Sequence, residues 1–131
     1  MKKLLIFFTL VMLLTSCGID YTSHSFSFHN LSSDTLELRY KTARMENLND
    51  TIIEPHISIP LTGYEEHGEE GRLSIEAILD LFEVFECTKG TDTFHLDNTT
   101  ISNWLIYGYG GVDSGFEKHS YGIEITDEDL E

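Results

Sequence analysis

Short runs in which apolar and polar residues alternate are the feature that most constrains how this chain folds. In residues 35–41, leucine and tyrosine occupy every second position and charged residues fill the positions between them. Residues 120–126 repeat the pattern with tyrosine and isoleucine. Because successive side chains of a strand point to opposite faces, each run predicts a β-strand with one buried and one solvent-facing side. The chain is therefore predicted to be mainly β.

Further strands and one helix are predicted between polar turns. Pro55 makes the strand at 51–59 an edge strand or a broken one, because proline cannot donate a ladder hydrogen bond. Ser74 is placed to cap a short helix near 74–81, where apolar residues have helical spacing. Such an order of elements predicts an antiparallel β-sandwich, immunoglobulin-like, with one short helix. The other predicted segments are strands at 25–29, 93–96 and 101–109, a polar loop at 42–50, an acidic loop at 62–71 and a glycine-rich flexible loop at 108–115.

The N-terminus has the charge and hydropathy pattern of a signal peptide. Lys2 and Lys3 precede an apolar run at 4–14 that is too short to span a bilayer. The sequence Leu-Thr-Ser-Cys that ends at Cys17 resembles the cleavage box of bacterial lipoproteins, in which the cysteine thiol accepts diacylglycerol. The alternative is an ordinary secretory signal with a chance cysteine. Three segments follow from this interpretation: a cleaved signal helix at 1–16, a lipidated tether at 17–23 and a β-sandwich domain at 24–131.

Lipidation of Cys17 has two consequences. Two or more acyl chains hold a protein stably on a bilayer, so the membrane is the first expected partner. The lipidated sulfur cannot form a disulfide, which leaves Cys87 without an intramolecular partner. We expect Cys87 to be a small buried hydrophobic residue, with a reactive thiol or an intermolecular disulfide as the alternatives.

The charge of the chain restricts its partners. With 8 basic and 23 acidic residues the formal charge is −15, and the sequence has no basic patch to neutralise phosphates. We therefore expect no nucleic acid partner. The acidity is explained either by solubility at a membrane surface or by attraction to a cationic protein or envelope component. The residues expected to meet such a partner are Glu65, Glu66, Glu69 and Glu70 of the predicted acidic loop, or those of the acidic C-terminal tail.

Sequence motifs for catalysis are missing. The Asp-Ser-Gly at 113–115 is followed by phenylalanine where trypsin-like proteases have glycine. The glycines at 108–111 are not followed by the Lys-Ser/Thr of a phosphate-binding loop. The six histidines are scattered, without the spacing of a zinc site. We therefore expect no enzyme activity, no cofactor and no metal.

Both ends of the predicted domain resemble small lipoproteins of Bacteroidetes-type bacteria. The matching segments are Phe-Ser-Phe-His-Asn at 26–30, running into Ser-Asp-Thr-Leu, and the closing strand at 120–126. The resemblance implies an outer-membrane lipoprotein, which faces the periplasm because Asp20 is the one acidic residue close to the cysteine. It also implies O-glycosylation of Asp-Thr-aliphatic sites at Thr35 and Thr51, for which an ordinary turn before a strand is the alternative.

These observations favour a non-enzymatic binding or structural role at the cell envelope. The predicted contact residues are Tyr107, Tyr109 and Phe116 around the glycine-rich loop, because aromatic side chains are common binding anchors. Core positions for the two tyrosines are the alternative. The second function considered is an acidic immunity or inhibitor protein that neutralises a cationic toxin or lytic enzyme.

Overall fold

The computed structural model describes residues 18, 20–68, 70–113 and 115–131. The predicted signal peptide at 1–16, Cys17 and Glu69 lie outside the described residues. Within the described ranges, no helix combines the length and the apolar character that crossing a membrane requires.

The described residues form a mainly β domain with short helices between some of the strands. The strands are β1 (Tyr21–Asn30), β2 (Leu36–Thr42), β3 (Asn49–Ile53), β4 (Ser58–His67), β5 (Phe82–Lys89), β6 (Asp92–His95), β7 (Leu105–Asp113) and β8 (Phe116–Ile125). The helices are α1 (Ile75–Leu81), α2 (Asn98–Trp104) and a closing 3-10 helix (Asp127–Leu130).

Two four-stranded sheets pack face to face. Sheet 1 has the strand order β4-β1-β8-β7, and sheet 2 has the order β3-β2-β5-β6. The predicted β-sandwich with a short helix is confirmed. Sheet 1 adds a feature that alternation does not predict, because β1 and β8 are parallel neighbours, with Phe26 opposite Tyr121. The first and last strands thus form the centre of sheet 1.

The core lies between the two sheets. Phe28 of β1 and Phe85 of β5 approach with ring centroids 6.2 Å apart, and Phe26 meets Phe82 edge-on at 5.7 Å. Leu36, Leu38, Ile123 and Ile125 are also buried in this layer. The alternation read from the sequence is therefore the alternation between this core and solvent.

Cys87 is one of the fully buried core residues, on β5. Its thiol is free, and burial raises its pKa to about 12. Little thiolate forms at neutral pH in such an environment. The prediction of a small buried hydrophobic residue is confirmed.

Each α-helix begins at a side-chain cap. The Ala77 N–H donates to Ser74 Oγ at 3.2 Å, so the helix predicted near 74–81 is confirmed as α1. The sequence missed α2, because residues 101–109 were predicted to be a strand. At its start, Asp97 Oδ1 accepts from the N–H groups of Thr99 and Thr100 at 2.8 Å. Local capping therefore fixes a helical turn in a segment that otherwise has strand composition.

Two loops predicted from composition are strands in the structure. The prediction of an acidic loop at 62–71 is wrong for residues 62–67, because those residues belong to β4 and pair with the central strand β1. The prediction of a glycine-rich loop at 108–115 is wrong for residues 108–113, because those residues belong to β7. A Cβ on Gly108 would lie 2.5 Å from Ser120 Oγ, so this glycine permits close approach of β7 and β8. In both segments, pairing with a neighbouring strand determines the backbone conformation, although the local composition is typical of a loop.

The strand predicted at 51–59 is two strands in different sheets. Its first part is β3 of sheet 2, and its second part begins β4 of sheet 1. Pro55 and His56 lie in the turn between them, where His56 has a left-handed φ of 61°. The prediction that Pro55 breaks the strand is confirmed.

Candidate functional site

The inner face of sheet 1 changes from apolar to polar along β1 and β8. Toward the starts of these two strands, the buried inward positions are occupied by Thr22, His24, Glu117 and His119, which we call the buried polar cluster. Parallel pairing places Thr22 opposite Glu117 and His24 opposite His119. Four polar side chains are thereby held in two rows at one end of the core.

His119 links a tyrosine to a carboxylate. Its Nδ1 is hydrogen-bonded to the Tyr107 hydroxyl, and its Nε2 lies 2.8 Å from Glu117 Oε1. The second contact has the distance of an ion pair without the angle of a hydrogen bond. Thr22 Oγ1 lies 3.4 Å from Glu117 Oε2 and extends the chain of polar contacts. The arrangement holds Glu117 inside the fold through neighbours on β1 and β8.

His24 is stacked on His119, with ring centroids 5.5 Å apart. Its Nδ1 lies 3.2 Å from the Tyr121 hydroxyl, and its buried Nε2 has no hydrogen-bond partner among the residues that the structure describes. Burial lowers the pKa of His24, and the nearby His119 lowers it further. The lowered pKa favours the neutral form of the ring. The other charged or titratable groups around it are Glu66, Glu117, Arg44, Tyr64 and Tyr121.

The segment after β4 is hydrogen-bonded to Thr22 of the buried polar cluster and to Tyr121, and we call residues 68 and 70–73 the cover segment. Thr22 Oγ1 donates to the Gly68 carbonyl at 2.6 Å and accepts from the Glu70 N–H at 3.1 Å. The Leu73 N–H donates to the Tyr121 hydroxyl at 2.8 Å. Gly68 has a φ of 91°, a conformation that favours glycine. Side chains of sheet 1 thus satisfy backbone groups of the cover segment.

Two arginines lie over tyrosine rings around this end of sheet 1. The Arg72 guanidinium is 4.3 Å from the Tyr107 ring centroid, and that of Arg44 is 4.0 Å from the Tyr64 ring centroid. Arg44 also forms an ion pair with Glu66. These cations cover aromatic faces and have their charge partly compensated within the fold.

The predicted acidic residues do not form a single loop surface. On β4, Glu65 is exposed, whereas Glu66 is half-buried beside Arg44. A hydrogen bond with the Glu70 carboxyl lowers the pKa of Glu66, as does Arg44, and the same hydrogen bond raises the pKa of Glu70. Glu69 lies outside the described residues. The described members of the predicted set therefore differ in their accessibility.

The predicted aromatic contact residues are also divided. Tyr109 is 55% exposed, whereas Tyr107 is half-buried and hydrogen-bonded to His119. Phe116 is half-buried at the start of β8 and stacks on Tyr21 with centroids 5.4 Å apart. Among the three, Tyr109 has the accessibility of a contact residue.

Strand β7 exposes further apolar side chains near Tyr109. Ile106 is 52% exposed and Val112 is 54% exposed. β7 ends the strand order of sheet 1, and no described strand pairs with its other side. We call this side the open edge. It is the exposed apolar feature that lies closest in register to the buried polar cluster, since Tyr109 is opposite His119.

Sequence reasoning missed the buried polar cluster, although a signal was present. Thr22 and His24 have the same parity as the core residues Phe26 and Phe28 in β1. Glu117 and His119 have the same parity as Tyr121 in β8. Polar residues in the inward register of a strand would have identified all four positions.

The two threonines that the family resemblance singles out differ in accessibility. Thr35 is exposed just before β2, and its hydroxyl donates to Glu54 Oε2 at 3.1 Å. Thr51 is half-buried within β3, opposite Leu38. It therefore lies inside a strand instead of at a turn.

A groove of about 810 Å³ lies over β2, β3 and β5. Three of its charged side chains form ion pairs, since Arg39 lies 3.5 Å from Asp50 and 3.7 Å from Glu86. Within the described part of the chain, no three His, Cys, Asp or Glu side chains are arranged to hold a metal ion. The open edge of β7 combines exposed apolar side chains with a strand side that no described strand pairs with, and it is the candidate binding surface.

No protein-family model, no curated protein and no solved structure matches this chain.

Proposed function

We propose that this protein is a lipid-anchored, non-enzymatic binding module of the bacterial cell envelope. The anchor is Cys17, with the signal box before it and, as its tether, the few residues that precede the start of β1 at Tyr21. The location favoured by the sequence is the outer membrane, on its periplasmic face. Acyl chains bind the bilayer, and the β-sandwich then presents its surface within reach of envelope proteins.

The observation that carries the binding function is the accessibility of β7. Three large apolar side chains on one edge strand are at least half exposed in a strongly acidic chain. Ile106 lies on the outer side of β7 and Tyr109 on its inner side, so a partner that lies along the open edge would contact both. A binding role also agrees with the histidines, because His24 and His119 are buried and contact neighbouring protein groups.

The binding function is tested by capture from envelope fractions with the full-length protein in detergent. We expect a retained partner that is lost with Tyr109→Ser and kept with Tyr40→Phe, a change confined to the core. Loss of the partner with both variants, or with neither, would contradict binding through β7. Thermal unfolding of each variant controls for a loss of fold.

The lipid anchor has its own tests. Cys17→Ala should leave an unprocessed precursor and prevent lipid labelling, whereas Cys87→Ala should not affect processing, because Cys87 is buried in the core.

Protease treatment of whole cells should leave a periplasmic domain intact. Release of the domain by the protease would place it on the cell surface instead. The intact mass of the native protein should reveal hexose increments if Thr35 or Thr51 is glycosylated.

The formal charge of −15 favours a second candidate, an acidic immunity or inhibitor protein. Its target would be a cationic toxin or lytic enzyme, drawn in by the field of the protein. Capture should then weaken with salt and with combined change of Glu65, Glu66, Glu69 and Glu70 to glutamine. A partner that is insensitive to both changes would contradict this candidate and leave the general binding function in place.

A further inference from the structure

We propose that β7 binds an extended, basic segment of a partner protein by strand addition, a proposal that rests on the binding function above. In this mode the partner's backbone pairs with the open edge of sheet 1, and its alternate side chains contact the two faces beside that edge. The four edge strands in the described part of the fold differ in how well they are protected against pairing with another chain.

Three of the four edge strands carry features that oppose pairing with another chain. β3 has five residues and includes Asp50, and β6 has four residues and includes Asp92. β4 is longer, but it contains Pro60, a register shift against β1 and two consecutive glutamates. Short length, proline, bulges and charge are the usual means by which proteins protect sheet edges.

β7 lacks most of this protection. It has nine residues, no proline and no charged residue before its last position, Asp113. A register shift between Tyr109 and Gly111 limits the regular ladder to residues 105–109. A stretch of five residues is a usual length for a paired strand. Residues 105–109 are therefore the expected pairing segment.

Side chains on both faces of β7 are available to an added strand. Tyr107 and Tyr109 lie on the inner side, opposite Tyr121 and His119, and Ile106 lies on the outer side. Of these, Ile106 and Tyr109 are more than half exposed. An added strand would bury both while satisfying backbone groups along the edge.

Charge decides which segment would occupy the edge. A second copy of the chain would bring a formal charge of −15 against the same charge, which opposes symmetric pairing through β7. A basic segment is attracted by that field. The cations near β7 do not lie on its open edge, since Arg72 covers the Tyr107 ring and Lys118 is on β8. The occupant that fits is thus extended, apolar at alternate positions and basic between them.

The test uses the full-length protein in detergent and a synthetic nine-residue peptide of alternating valine and lysine. We expect binding that weakens with salt and that slows hydrogen exchange at the edge-facing amides of residues 105–109. The same peptide with alternate backbone nitrogens methylated keeps its side chains but cannot donate along one edge, and it should not bind. A valine–glutamate peptide should bind more weakly than the valine–lysine peptide.

A matched pair of variants locates the site. Ile106→Lys introduces a protective charge on β7 and should weaken binding of the valine–lysine peptide by about tenfold or more. Ile52→Lys changes an isoleucine that is 65% exposed on the protected edge strand β3 and should leave the affinity within about twofold, as expected for a residue outside the contact. Equal effects of the two changes would overturn the assignment to β7.

The outcomes separate the mode of binding from the function itself. An envelope partner that depends on Tyr109, combined with unchanged amide exchange in β7, overturns strand addition and leaves the binding function in place. Tighter binding of the glutamate peptide, or dimers of the protein that protect β7, overturns the basic occupant. Failure to capture any partner through β7 contradicts the function on which this proposal rests.

Discussion

The two ends of the inner face of sheet 1 are built from the same alternating strands but are stabilised by different interactions. One end buries Phe28, Ile123 and Ile125 against sheet 2. The other end buries His24 and His119, which are hydrogen-bonded to the hydroxyls of Tyr121 and Tyr107. Apolar burial depends little on pH, whereas buried titratable groups couple stability to protons. One sheet therefore combines a pH-insensitive end with a pH-sensitive one.

The largest effect is expected at the apolar end. Phe28→Ala removes a fully buried ring and should lower the free energy of unfolding by about 3–5 kcal/mol. The measurement is urea denaturation followed by tryptophan fluorescence. The loss should be nearly the same at pH 6 as at about pH 8, because no proton is involved. A strongly pH-dependent loss would remove the distinction between the two ends.

A smaller effect is expected when one hydroxyl is removed from the polar end. Tyr121→Phe leaves the Leu73 N–H and His24 Nδ1 without their common partner, and it should cost about 1–3 kcal/mol. Tyr40→Phe is the matched control, since that hydroxyl donates to the Leu61 carbonyl alone, at 3.3 Å. Denaturation of both variants under one condition provides the comparison. An equal cost for the two would argue against a special role for Tyr121 in holding the cover segment.

The pH dependence of stability tests the polar end directly. Burial lowers the pKa of His24 below its ordinary value of 6.5, so the folded protein resists a proton that the unfolded chain accepts. The free energy of unfolding should therefore fall as the pH decreases below 6.5 toward the lowered pKa. One group contributes at most about 1.4 kcal/mol per pH unit.

The measurement is a series of denaturation curves between about pH 5 and 8, for the wild type and His24→Phe. The variant should have a flatter dependence on pH in this window. Phe28→Leu serves as the control, because it should lower stability by a similar amount at each pH. Parallel curves for the wild type and His24→Phe would contradict the assignment of the dependence to His24.

The smallest effect on the free energy of unfolding is expected at Ser74, the N-cap residue that links the cover segment to α1. Ser74→Ala removes the hydroxyl that accepts from the Ala77 N–H and should cost about 1 kcal/mol. Ser74→Asp keeps an N-cap acceptor and should restore most of this loss. Hydrogen exchange at Leu73 sharpens the comparison between the two ends. Faster exchange there in the alanine variant would indicate that α1 helps to hold the cover segment against Tyr121.

The elements that could be predicted are those whose sequence pattern depends on nearby residues alone. Residues 35–41 and 120–126 alternate because each strand has one face in the core, and Ser74 caps α1 within four residues of sequence. The parallel pairing of β1 with β8 could not be predicted in this way. It depends on residues far apart in the chain, and alternation is the same for parallel and antiparallel neighbours.

The candidate site was predictable in part. The aromatic ring of Tyr109 predicts a contact residue, and the structure exposes that ring, but the surrounding glycines predict a loop where the structure has β7. Those glycines permit close packing against β8, as the position of Gly108 beside Ser120 demonstrates. The open edge of β7 is a property of strand order, which is determined by the whole fold. Composition alone could not identify it.

The pairing of the first strand with the last has a consequence for the order in which the domain folds. Thr22 and Glu117 meet across the centre of sheet 1, although 95 residues separate them in the chain. Non-local contacts of this kind require closure of a long loop, so we expect folding in milliseconds to seconds instead of microseconds. During synthesis from the N-terminus, β1 is made early. Its neighbour β8 becomes available only when nearly the whole sequence has been made. Completion of sheet 1 is thus a late event, determined by the arrival of the C-terminal strand.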